Sequence, residues 1–169
     1  RVLRSAVVVF VGATASVWPA FLVASSAQAL AGSKLISGHL RRLDLAGCRN
    51  VTDAGLDAIT ETCTLLTRLT VQGCAEVTAS GIALAANRLW HLRRFNCSRL
   101  PLLSDEAFHY SAAADPRPMA QLSMLKQLTK LVLAGSAGVS DSTVAVVAAS
   151  CPKLEVLDVG SCPLTDRAL

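Results

Sequence analysis

Apolar residues recur along this chain as Leu-x-x-Leu-x-Leu, and the pattern returns at a fixed interval. Leu40, Leu43 and Leu45 open the series; Leu66, Leu69 and Val71 follow 26 residues on, and Leu92, Phe95 and Cys97 another 26 on. Two more copies begin at Leu128 and Leu154. Alternation within each copy predicts a short strand whose Leu positions point inward and whose intervening residues point out. After each strand comes a turn and then a hydroxyl followed by an acid, as in Val51-Thr52-Asp53-Ala54-Gly55-Leu56. Its echoes start at Val77-Thr78, Leu103-Ser104-Asp105, Val139-Ser140-Asp141 and Leu164-Thr165-Asp166. A hydroxyl or carboxylate there accepts from free backbone N–H groups and opposes the helix dipole, so this step marks a helix start. Leu56 and Ile59, or Val144 and Val147, then face the core three residues apart. Each unit reads as strand, turn and capped helix. One unit cannot bury its own apolar faces, so neighbours must stack into a solenoid.

The intervals between leading Leu residues are 26, 26, 36 and 26, so the third unit carries about ten extra residues. The turn-rich stretch Ser111–Ala120, with Pro116 and Pro118, is the expected insert. It reads equally as a contact loop on one face or as a tolerated, functionless one. The repeat domain is thus expected over 40–169, in about five units.

Residues 1–39 are different. Val7 to Ala31 is strongly apolar, and no acid precedes Asp44. A signal peptide, a transit peptide and a transmembrane helix each fit part of it, although Gly12 and Trp18-Pro19 weaken the last. We favour a degenerate first repeat, with Ala6–Phe10 as its strand and Pro19 in the first turn of its helix. Membrane association is expected only through residues 7–31. The chain does not open on Met and stops just after a cap, which suggests that it is a piece of a longer or processed chain.

Composition narrows the picture. Hydrophobic residues make up 52% of the chain but aromatic ones only 4%, so the interior must be narrow and layered. The six Cys follow repeat slots rather than disulfide or zinc spacing: Cys48, Cys74 and Cys162 share one slot, Cys63 and Cys151 another, and Cys97 takes a strand Leu position. They are expected to be free thiols serving as small hydrophobes. No metal and no cofactor is expected, because no CxxC pair, HExxH, GxSxG or phosphate loop is present. His39, His91 and His109 lack recurring partners, and Trp90-His91 reads as packing or loop. No catalytic residue is assigned. Asn50-Val51-Thr52 and Asn96-Cys97-Ser98 are sequons by chance on this reading.

The signature Leu-x-x-Leu-x-Leu-x-x-Cys-x-x-Val-Thr-Asp-x-Gly-Leu, whole in Leu40–Leu56, resembles the cysteine-containing leucine-rich repeats of F-box and related adaptor proteins. The second unit has Ala79 in place of the Asp; the third and fourth have Leu100 and Ser136 in the Cys slot. The resemblance covers about three quarters of the chain. It implies an α/β, right-handed leucine-rich-repeat solenoid, with parallel strands on the concave face and helices on the convex face. No F-box segment is visible, which opens the function to plain adaptors and to subunits of large assemblies, mitochondrial ones included.

The outward position third in each strand reads Arg42, Arg68, Arg94, Lys130, Val156. Stacked strands would align these cations about 4.8 Å apart, an arrangement that folding alone does not need. This row is the candidate partner-binding site, together with Asp44, Thr70, Asn96 and Asp158 of the adjacent row. A third row, Ala46, Gln72, Ser98, Ala134 and Gly160, is small. A net charge of +4 permits an acidic partner without demanding one. The expected role is a non-catalytic protein-interaction module, scaffold or adaptor subunit, which binds a protein partner or neighbouring subunits of a complex. Nucleic acid ranks behind protein because no aromatic residues are interleaved with the row. The alternatives are the substrate-recognition part of an F-box ubiquitin ligase and a membrane-anchored or secreted recognition domain. An intracellular location is expected, cytoplasmic before mitochondrial.

Overall fold

Six strands form one all-parallel sheet, in the order in which the chain makes them. They are β1 (Ala6–Val9), β2 (Leu40–Asp44), β3 (Arg68–Thr70), β4 (Arg94–Asn96), β5 (Lys130–Val132) and β6 (Val156–Asp158). The computed structural model describes residues 6–9, 40–108 and 125–168. The expected insert at 111–120, His39, His109 and the helix expected after Pro19 lie outside the described residues. Among the described residues three ten-residue helices, α1 (Asp53–Thr62), α2 (Ala79–Arg88) and α3 (Asp141–Ser150), follow β2, β3 and β5. β1 pairs with β2 in parallel, with a register shift between Ala6 and Val7.

The register confirms the repeat. Leu43, Leu69, Phe95, Leu131 and Leu157 stand side by side on adjacent strands. The first four are buried, as are Leu45, Val71, Cys97 and Leu133 in the next inward slot. The helices close the other side of this core: Leu56 and Ile59 from α1, Ile82, Ala85 and Ala86 from α2. In α3 the expectation shifts by one residue. Val147 is buried, but Thr143 rather than Val144 joins it, because the Thr143 hydroxyl donates to Oδ1 of Asp105 at 2.6 Å.

Neighbouring units are clamped through the hydroxyl–acid step. The Thr78 hydroxyl accepts from the Ser80 N–H at the head of α2 and also donates to Asp53 of the previous unit (2.5 Å). Thr78 N–H donates to the same carboxylate at 2.8 Å. Ser140 repeats this on Asp105, and Thr165 on Asp141. One side chain thus caps its own helix and ties it to the unit before. The Cys slot adds a second clamp. Cys74 Sγ donates to the Leu45 carbonyl and Cys162 Sγ to the Leu133 carbonyl, and Ser136 bonds the Cys97 carbonyl in the same way.

The junction between the second and third units departs from this. Ala79 stands where the others have Asp, and Leu100 where they have Cys or Ser. Ser104 makes no cap hydrogen bond, and a 3₁₀ turn, Asp105–Ala107, follows it. A further 3₁₀ turn, Asp166–Ala168, closes the last unit.

One more slot is set by backbone geometry. Gly47, Gly73 and Gly135 turn out of their strands with φ of 70°, 65° and 72°. The third and fifth units place Arg99 (φ 54°) and Ser161 (φ 61°) there, in a region that disfavours a Cβ.

All six thiols are free. Cys63, Cys74, Cys97 and Cys151 are buried, whereas Cys48 and Cys162 are only half-buried. Burial pushes the Cys74 thiol up to about 12 and that of Cys151 up to about 11, because a thiolate there would lose its water.

Candidate functional site

The cationic row exists as a register fact. Arg42 pairs with Arg68, Arg68 with Arg94, Arg94 with Lys130, and Lys130 with Val156. Each of these residues precedes a core Leu or Phe, so the pleat sends it to the opposite face of the sheet. Arg42, Arg94 and Lys130 are exposed and Arg68 is half-buried. The Arg68 guanidinium is held below its ordinary value, first by partial loss of water and then by Arg42 and Arg94 on either side. That is the electrostatic mark of like charges stacked across strands. The row ends at β6, where Val156 is 43% exposed.

The adjacent row is differently employed. Asp44 accepts from the Ala46 N–H, Asn96 from the Ser98 N–H and hydroxyl, and Asp158 from the Gly160 N–H, all two residues on. These side chains fasten the strand-to-turn exits. Asn96 also donates to Oε1 of Gln72 at 3.1 Å. Thr70 lies between Asp44 and Asn96 in register. The register sets all eight candidate residues in two neighbouring rows, and three of them have a fastening task that the sequence does not reveal.

The Leucine Rich repeat family model matches residues 38–59 and 150–169. Together with the register this decides the class. The chain folds as an α/β leucine-rich-repeat solenoid. A chain of the crystal structure of the Rad7 and Elc1 complex in yeast is similar in fold: TM-score 0.60, 21% identity, with 80% of this leucine-rich-repeat chain matched. The match covers 40% of that chain. No curated protein matches the sequence.

The strand entrances of the sheet hold the pair that the sequence presents as packing or loop. Trp90 and His91, in the turn between α2 and β4, stack with ring centroids 4.2 Å apart. Trp90 is not packed inside; it is 56% exposed. With Arg41, Arg93, Lys126, Thr67 and Gln127 the pair lines a surface pocket of about 440 Å³. The Arg41 guanidinium is steadied by the Leu65 carbonyl at 3.1 Å, and Gln127 accepts from Lys153 Nζ at 2.8 Å. The one available signal was that Trp90 falls where the fourth unit has Lys126, outside the apolar slots. Among the described residues no group of three His, Cys, Asp or Glu gathers as a metal site, and no helix is long and apolar enough to cross a membrane.

Proposed function

We propose that this chain is a non-catalytic adaptor or scaffold subunit whose cationic row holds an acidic segment of a protein partner. One observation carries this reading: four cations stand in neighbouring register positions on one sheet face, at a cost in repulsion that folding does not require. The row spans about 14 Å at ordinary strand spacing, the length of roughly four extended residues. It is bordered in its middle by the neutral Thr70, Asn96 and Val132, which add no competing carboxylate. Residues 1–39 extend the same solenoid as a degenerate unit, and the protein works inside the cell.

The resemblance to F-box adaptors, and the likeness to a chain crystallised in a two-protein complex, support a second form of this reading. In that form the domain recognises substrates within a ubiquitin ligase. An F-box in the full-length gene product favours that form, and its absence there removes it. The test of the main reading is capture from native extract at low and moderate salt, with identification by mass spectrometry. Replacing Arg42, Arg68 and Arg94 by Ser abolishes capture at moderate salt on this proposal; unchanged capture overturns it.

A further inference from the structure

The pocket at the strand entrances is lined by residues one step before the cationic row in three strands. Arg41 is followed by Arg42, Thr67 by Arg68 and Arg93 by Arg94, so every row residue of the first three units has a pocket neighbour beside it in the chain. Three cations, Arg41, Arg93 and Lys126, surround the Trp90–His91 stack. A solvated rim does not call for an indole left 56% exposed. Tryptophan flanked by arginine is the composition of an interface anchor point: a flat apolar face gains on burial, and the cations around it select charge.

We propose that this pocket receives a large apolar side chain, best an aromatic one, of the acidic segment that lies along the cationic row. The inference rests on the proposed function and adds to it the motif that the partner must carry: carboxylates for Arg42, Arg68, Arg94 and Lys130, next to one aromatic anchor on Trp90. Its flanking carboxylates meet Arg93 and Lys126, both of which are exposed. The occupant is protein rather than nucleic acid for a reason of geometry. Single strands are held by successive stacking platforms, whereas a single Trp–His stack offers one.

Fluorescence anisotropy with three labelled probes tests this on the whole chain. They are an octapeptide of Asp and Glu with one central Phe, the same peptide with Ser for Phe, and an eight-residue oligothymidylate. The Phe peptide is expected to bind about tenfold or more tightly than the Ser peptide, as a buried anchor would provide. Trp90→Ala brings the two peptides to equal affinity and leaves the Ser peptide as it was. Arg93→Ser weakens both, and its effect fades with salt. Equal binding of both peptides by the unaltered chain overturns the anchor while leaving the row standing. Failure of both peptides to bind at low salt overturns both readings, and tighter binding of the oligothymidylate assigns the surface to nucleic acid instead.

Discussion

The carboxylate of Asp53, in the first described helix, occupies the space that a Cβ on Gly81, in the second, would need. The glycine is there because the acid is, and the acid is there to receive the backbone and hydroxyl of Thr78. Gly81→Ala should therefore destabilise the chain by about 1–3 kcal/mol, the range for overpacking a fitted interior. Asp53→Ala should also destabilise, by unpairing Thr78. The double variant should lose less than the sum of the two, because removing the acid frees the space. Denaturant midpoints for the four proteins of this cycle measure the coupling, and strict additivity would contradict it.

Arg99 sits in the left-handed slot that three other units fill with glycine. Arg99→Gly should raise stability by about 1 kcal/mol, since the Cβ penalty of that conformation is relieved and only part of it is returned as backbone entropy. Thermal melting of the variant checks this; an unchanged or lower Tm would show that the slot does not strain a side chain.

Asp141 is held below its ordinary value, first by the Thr165 hydroxyl and then by the Thr165 N–H, with Arg167 adding to both. A carboxylate depressed in the folded state stabilises it above its unfolded value, near 3.8, and that contribution is lost as pH falls through the lower folded value. Asp141→Asn should therefore be less stable than the parent at pH 6, with the difference shrinking below pH 4. Urea titrations across that range read it directly.

The buried thiols shift the other way. Cys74 ionises only at about 12 when folded, against 9.0 as an ordinary thiol. The unfolded chain loses this proton first, so stability should be full below about pH 9 and fall as pH rises from there. At neutral pH a thiol reagent should label Cys162 and Cys48, the half-buried pair, well before Cys97 and Cys74. Peptide mapping after brief labelling gives the order, and early modification of Cys97 would contradict the packing role.

Arg68 stands between Arg42 and Arg94, and the three repel. Arg68→Ser should leave the fold intact and raise Tm slightly at low salt, a gain that added salt erases. The same substitution should weaken capture of an acidic peptide. The stability gain reports the repulsion, and the binding loss separates a functional row from a solvated polar face, in which capture would not change.

Local chemistry read in order along the chain was enough for the architecture. The interval of 26, the Leu slots and the hydroxyl–acid step each repeat, and residues in equal slots must become neighbours once parallel strands stack. The row Arg42, Arg68, Arg94, Lys130 was therefore legible before any coordinates. The clamp from Thr78 to Asp53 was not, because its two halves lie 25 residues apart and each alone reads as an ordinary helix cap. The missing clamp at Ser104 was hidden for the same reason, since Ala79 matters there only as the absent acceptor of a different unit.

Sequence by itself determined the class of fold and which side chains share a face, because both follow from periodicity. Tertiary structure alone decided which equivalents are busy and which are free. Asp44, Asn96 and Asp158 look like open site residues in the chain, yet one oxygen of each is already given to a turn N–H group. Trp90 reads in the chain as packing or loop, and the fold puts it in a turn at the rim of the sheet with its indole exposed. Burial and hydrogen-bond partners depend on neighbours brought together by folding, and no repeat pattern contains them.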